Sequence, residues 1–257
     1  MSVRRKCLLV RSGVERKILI NVQEELTDGT RLFGWKSEPP LTPVAPSYTY
    51  HFTEKKIFSS EECESWNEYL LEQENVLLDK FRTSIGDGLT GLGTTSITSR
   101  YRDFNILKFD FHGVPKLKKA ICDGIATLLR VSDNGDWQET LYANSWFNVL
   151  RQEEGLDTHS HGYHKNSFYG FHVTINATQP SFTSYSHLYK FQQGAFYVPN
   201  KIGYLTLFPN YIPHEVSPNK YETPRISIAG DIYASTFVNE PDPPNYTKNL
   251  VELGKIG

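Results

Sequence analysis

Six of the chain's eight histidines fall between residues 159 and 214, and two of them form the pair His159-Ser160-His161. On an extended strand, residues i and i+2 project from the same face, so these two imidazoles can converge on one metal ion. The plain alternative is a polar edge strand. His214 follows in FPNYIPHEVSP, just past Pro213 and after the apolar run GYLTLF. Arg225 then opens RISIAGDIYAS, on what should be the next strand. A buried guanidinium is costly without an anionic partner. That partner is either a structural carboxylate or a dicarboxylate ligand, which guanidinium grips through two parallel hydrogen bonds. The more isolated His51, His112, His172 and His187 read as structural.

These residues must be positioned by short strands. LYANSWFNVLR, SFYGFHVTIN, GAFYVP, GYLTLFP, HEVSP and RISIAGDIYAS are β-rich runs broken by Gly, Pro and Asn. Strands at that spacing argue a sandwich or jelly roll. Ahead of them, YTYHFTEKKIF predicts a strand, and SSEECESWNEYLLEQENVLLDKF (59–81) predicts a helix with Ser60 as N-cap. Cys63, three residues after Ser60, leaves that cap without a capping box. Trp66, Tyr69, Leu70, Val76 and Leu77 recur there at roughly helical spacing. A second helix fits 114–131, where Leu117, Ile121, Ile125, Leu128 and Leu129 share a face.

KILINVQEEL offers one strand, and the proline-dense EPPLTPVAP (38–46) reads as an extended connector. The tail FVNEPDPPNYTKNL reads as irregular. The expected organisation is an N-terminal arm over 1–50 and a single jelly-roll domain over 51–257. Helical support would span about 59–131 and the β core about 140–237. The fold class is α+β, mainly β.

Composition bounds the function. The chain has 257 residues, 39% hydrophobic and 13% aromatic, with a formal net charge of −2. A chain this long hides roughly 70–75% of its unfolded surface on folding. Near-zero charge gives no bulk pull toward nucleic acid. No apolar run approaches the roughly 20 residues that cross a bilayer. MSVRRKCLLV holds too short an apolar stretch for a secretory signal. Cys7, Cys63 and Cys122 are too scattered for a disulfide framework or a zinc–thiolate site. The expectation is a soluble, cytoplasmic protein. Gly86 to Gly91 matches GxGxxG literally, but it follows a helical segment and leads into β-branched residues rather than a helix. A dinucleotide site needs the opposite context. It reads as a plain loop, with a mobile loop over a site as the alternative.

The order His159-x-His161, His214 and Arg225-Ile226-Ser227 resembles the iron(II)- and 2-oxoglutarate-dependent oxygenases. It is most similar to a branch found in phage and bacteria that adds a W-x-N strand, here Trp146-Phe147-Asn148, and a small-residue strand at Tyr169-Gly170. The resemblance covers about residues 140–235. It implies a double-stranded β-helix, bound Fe(II), 2-oxoglutarate as co-substrate, and O2. It further implies that His159, His161 and His214 are metal ligands and that Arg225 and Ser227 hold the distal carboxylate. Tyr169 would add a phenol donor, and Asn148 would orient co-substrate or a ligand. The chain departs from the family at His161, where a carboxylate is usual. Three readings stay open: three imidazoles bind the iron, the position is vacant, or Asp157 supplies the carboxylate.

By this resemblance the chain oxidises, most simply hydroxylates, a small-molecule or peptide substrate, releasing succinate and carbon dioxide. Nothing in the sequence names that substrate. The glycine loop 86–93 and the stretch 178–193 are candidate lids, and Tyr163, His164 and Asn166 are candidate pocket residues. Two other classes compete. A cupin-like metal enzyme independent of 2-oxoglutarate also uses HxH, but it carries a Glu shortly after that motif; this chain has GYHKNSFYG and would leave Arg225 without a role. A non-catalytic β-sandwich binding protein would scatter the histidines without a shared focus.

Overall fold

A computed structural model describes residues 21–36, 44, 49–84, 86–132, 138–161, 167–188, 195–235 and 248–255. Tyr163, His164, Asn166, most of 38–46 and residues 237–247 lie outside these.

Eight strands carry the jelly roll: β4 (Thr140–Leu150), β5 (Leu156–His159), β6 (Ser167–Asn176), β7 (Phe182–Ser186), β8 (Ala195–Pro199), β9 (Tyr204–Pro209), β10 (His214–Val216) and β11 (Arg225–Ala234). Their antiparallel pairings nest: β4 with β11, β5 with β10, β6 with β9, and β7 with β8. That is one long hairpin wound on itself, the topology of a double-stranded β-helix. Three strands near the N-terminus, β1 (Asn21–Glu25), β2 (Arg31–Lys36) and β3 (Thr49–Lys56), extend one sheet, and β12 (Val251–Lys255) closes its other edge. The large sheet runs β1-β2-β3-β9-β6-β11-β4-β12, and the small one runs β5-β10-β7-β8.

Two helices cover the outer face of the large sheet. α1 (Ser60–Lys80) packs on β6 and buries Cys63, Trp66, Leu70 and Leu77. Its N-cap is Ser59, one residue earlier than the sequence suggested. The Ser59 hydroxyl accepts from the Glu62 N–H, and the Glu62 carboxylate accepts from the Ser59 N–H, so a capping box is present. The one-residue shift exchanges Cys63 for Glu62 at the third helical position. Val76 leaves the expected apolar face and is exposed. Glu74 takes a buried place instead, because the Arg151 guanidinium, at the end of β4, meets both its oxygens at 3.1 and 2.9 Å. α2 (Val114–Val131) begins and ends where the sequence placed it. It lies over β3 and β9, so close that a Cβ on Gly124 would sit 2.5 Å from Leu207 Cδ1.

Several expectations change. Part of the N-terminal arm, β1 and β2, is built into the sheet. The stretch 178–193 is not a free lid over its described part: Phe182–Ser186 is β7, inside the small sheet between β10 and β8. Thr183, Ser184 and Tyr185 are buried there. Polar residues disguised this strand, because Thr and Ser fill an interior face that carries hydrogen bonds rather than apolar packing. β12 follows the proline-rich tail and was not anticipated.

The core divides accordingly. Trp66, Leu70, Ile121, Ile125, Phe147, Phe171, Val173, Ile226, Ile228 and Ile232 join helices to the large sheet. Full burial of such side chains contributes roughly 1.5–3 kcal/mol each. A second, aromatic cluster of Phe33, Trp35, Tyr50, Phe52, Tyr185, Phe196 and Phe208 fills the space between β2, β3 and the small sheet.

Candidate metal and carboxylate site

Between the two sheets lies a cavity of about 340 Å³. His159, His161 and His214 meet on its wall, with their candidate ligand atoms all within 4.8 Å of one another. The topology explains the meeting. His159 ends β5, His214 begins β10, and the two are direct partners across that antiparallel pair. His161 lies just beyond β5, tied down by its N–H to the Asn210 carbonyl at 3.0 Å.

Each imidazole is oriented by a partner on Nδ1. His159 Nδ1 meets the Asp157 carbonyl at 2.7 Å, and His214 Nδ1 meets the Ile212 carbonyl at 3.0 Å. His161 Nδ1 meets the Asp231 carboxylate at 2.7 Å. All three partners can only accept, so Nδ1 carries the proton in each ring and Nε2 keeps its lone pair. That is the tautomer a metal ligand needs. Burial reinforces it. Desolvation, then the neighbouring His161, pulls the His159 pKa down to about 4, and the same causes hold His214 well below the ordinary histidine value.

Asp157 does not join the cluster. Its carboxylate points at the glycine loop, where a Cβ on Gly91 would lie 2.4 Å from its Oδ2. Gly91 also has φ +78°, so glycine is required there twice over.

Arg225 occupies the same cavity and is only 4% exposed. Its Nε and Nη1 have no hydrogen-bond partner among the described residues. Burial alone draws its pKa down to about 10, so the guanidinium is still charged at neutral pH. A buried, charged donor set without an acceptor is strongly disfavoured in a finished fold and marks an anion-binding position.

Beside it, Thr98 donates its hydroxyl to Asn148 Oδ1 at 2.9 Å, and Asn148 Nδ2 donates to Ser227 Oγ at 3.2 Å. This chain fixes the amide and leaves the Ser227 hydroxyl proton available to donate into the cavity. The cross-strand register places Ser227 opposite Asn148 on β4 and Thr174 on β6.

Tyr169 is not in this group. It pairs with Pro209 and Ile232 and packs with the helix-side core, and its phenol is hydrogen-bonded to Ser132. Strand parity is the reason, since 169, 171 and 173 face the helices while 170, 172 and 174 face inward. His172 therefore lines the cavity, with its Nε2 2.9 Å from the Tyr185 hydroxyl. Desolvation, then the charge on Arg225, lowers its pKa to about 3. The alternation Phe171, Val173, Ile175 was the available signal for this inward His172. Asp231 was also missed. It sits at the same parity as Arg225 and Ser227 on β11, so the spacing could have found it.

The glycine loop reaches the cavity at Asp87, Gly88, Leu89 and Thr90. The Asp87 carboxylate accepts from the N–H groups of Leu89 and Gly93 at 3.0 and 3.1 Å. Those are donors a phosphate cradle would need, so the loop binds its own aspartate and not a nucleotide.

No curated protein matches the sequence. Among solved structures, a non-heme alpha-ketoglutarate-dependent carbocyclase from nogalamycin biosynthesis aligns at 14% identity, covering 71% of this chain and 79% of that one, with a TM-score of 0.47. A prolyl hydroxylase from Trichoplax adhaerens, in complex with a hypoxia inducible factor peptide, aligns at 15% identity over 72% and 84%, with a TM-score of 0.46. Residues 144–231 match the family described as "Putative 2OG-Fe(II) oxygenase". That segment runs from the Asn144 lining the cavity, through all three histidines and Arg225, to Asp231. Over the segment that builds its site, about a third of the chain, the sequence is thus similar to the 2OG-Fe(II) oxygenases.

Proposed function

We propose that His159, His161 and His214 hold Fe(II) through their Nε2 atoms, and that Arg225 and Ser227 hold the far carboxylate of 2-oxoglutarate. The reaction read from this is hydroxylation of a small-molecule or peptide substrate. Substrate C–H, O2 and 2-oxoglutarate would give C–OH, succinate and carbon dioxide, one oxygen atom going to the substrate and one to succinate. The observation that carries the reading is the buried Arg225 with unpaired N–H groups, in one cavity with three convergent imidazoles. The residues fit the missing groups: each of the three imidazoles brings a ring nitrogen within 4.8 Å of the others, and a buried cation lacks an acceptor among the described residues.

Bound iron supplies the oxidising power, and the protein supplies placement. The three Nδ1 hydrogen bonds fix how the imidazoles are aimed. Arg225 supplies charge and Ser227 one more donor, a charge-assisted grip on carboxylate. Arg225 opens β11, paired across to Leu150 on β4, and its side chain is already buried in the cavity. Leu89, four-fifths exposed, stands at the rim beside the cavity-lining Tyr101 and Trp146, where substrate would enter. Among the described residues no helix is long and apolar enough to cross a membrane. A cytoplasmic location suits the free thiols of Cys63 and Cys122.

The test is anaerobic. Iron(II) followed by 2-oxoglutarate should develop the visible charge-transfer band of a keto acid chelated to iron. His214→Ala should abolish that band by losing the metal. A full band in His214→Ala would remove His214 from the site. Iron binding without any band in the unmutated chain would defeat the 2-oxoglutarate assignment.

A further inference from the structure

We propose that Asp231 is a positioning residue that supplies, through His161, the negative charge that the metal site lacks at its third ligand. The inference rests on the three-histidine reading above. Two of the imidazoles lean on neutral main-chain carbonyls, those of Asp157 and Ile212. His161, at the position where the family has a carboxylate, is the one of the three backed by a carboxylate, at 2.7 Å. Both side chains are largely buried, 8% and 7% exposed. The second Asp231 oxygen accepts from the Tyr233 hydroxyl at 3.2 Å, so the carboxylate is anchored and not adventitious.

The register makes this arrangement specific. Asp231 lies between Asn144 on β4 and Gly170 on β6, in the middle of the large sheet. Three neutral imidazoles would leave a divalent ion with its full double charge in a largely buried site. A carboxylate on Nδ1 draws that ring toward imidazolate, raises the basicity of Nε2 and offsets part of the charge. The negative charge is displaced by one imidazole from the metal and not lost. Such outer partners typically change metal affinity by roughly 10- to 100-fold.

Cobalt(II) is the probe, because its visible spectrum reports both affinity and ligand field in the full chain. Asp231→Asn keeps an oxygen that can accept from His161 Nδ1 but removes the charge. It should weaken cobalt(II) binding by roughly 10- to 100-fold, while leaving the unfolding temperature of the metal-free protein unchanged or higher. Glu215→Gln is the control, since Glu215 is exposed beside His214 and bonds only Thr158 at 2.7 Å. It should bind cobalt(II) like the unmutated chain. Wild-type affinity in Asp231→Asn, or an equal loss in Glu215→Gln, would overturn the proposal. Undiminished cobalt(II) binding in His214→Ala would instead overturn the three-histidine reading beneath it. Should Asp231→Asn not fold, proton NMR of the unmutated cobalt(II) protein serves. The Nδ1–H of His161, held by a carboxylate, should resonate apart from those of His159 and His214, held by carbonyls. Three coincident resonances would sink the idea.

Discussion

Strand β11 is buried along its whole length, yet its two faces do different work. Ile226, Ile228 and Ile232 point to the helices, fully covered among Leu107, Phe147 and Val173. Arg225, Ser227 and Asp231 point the other way and are nearly as buried, at 4%, 8% and 5% exposure. Burial therefore does not separate scaffold from site in this molecule. On β11 the polar atoms of Arg225 make the difference. The isoleucines carry no side-chain donor to satisfy, whereas Nε and Nη1 of Arg225 have no acceptor among the described residues. That unpartnered charge is the feature on which the proposed 2-oxoglutarate site rests.

The contrast can be broken from either side. Arg225→Met should weaken 2-oxoglutarate binding by roughly 2–5 kcal/mol, the usual effect of truncating one partner of a buried charge pair. The same variant should leave metal affinity intact and the ligand-free fold no less stable, since an unpaired buried charge is removed. Titration calorimetry and thermal unfolding together check this; a destabilised chain with normal 2-oxoglutarate affinity would assign Arg225 to the scaffold. Ile228→Ala should do the reverse. It should cost roughly 2–5 kcal/mol of stability by opening a core void, with iron and 2-oxoglutarate bound normally by the molecules that remain folded. A selective loss of either ligand would mean the two faces are coupled.

A smaller effect concerns pH. Folding lowers the His172 pKa to about 3 from the ordinary 6.5. Between those values the unfolded chain binds more protons than the native one. Stability contributed by neutral His172 is thus present above about pH 6.5 and is lost as pH falls toward 3. His172→Gln should lessen the drop in metal-free stability between about pH 6.5 and 5 by roughly 1.5 kcal/mol, measured by urea unfolding at each pH. An unchanged slope would mean that His172 is already protonated beside Arg225. Smallest of all, Ser59→Ala should cost about 1 kcal/mol through loss of the α1 cap. Because α1 lies on the far side of the large sheet, iron titration should not register the change; a shifted affinity would show that the scaffold tunes the site.

Much of this was legible early. The strand runs from β4 to β11 were readable except β5 and β7, because alternating aromatic and β-branched residues mark a half-buried pleat. Helix α2 was readable to the residue, as its apolar stripe is unbroken. The cap of α1 was misread by one position, since either serine can accept from the helix and only the Glu62 side chain decides between them. Strand β7 looked like a polar lid because its interior neighbours are polar; Thr183, for instance, donates to Asn200 at 2.9 Å. Tyr169 was expected to face the cavity and His172 to be merely structural, whereas the Phe171, Val173, Ile175 alternation sets the opposite parity.

The order of HxH, the distal histidine and RIS pointed to the proposed chemistry through its resemblance to the 2OG-Fe(II) oxygenases, and the HxH spacing by itself allowed two imidazoles to converge. It could not distinguish three readings of the third ligand, since local spacing treats Asp157, His161 and an empty position alike. The tertiary structure decided where the carboxylates stand: Asp157 against Gly91 in the loop, and Asp231 behind His161 although 70 residues apart in the chain. That pairing arises only when β11 is laid beside β4 and β6 under the end of β5. Contacts across such sequence distances are set by how the sheets wind, and no local pattern of residues records them.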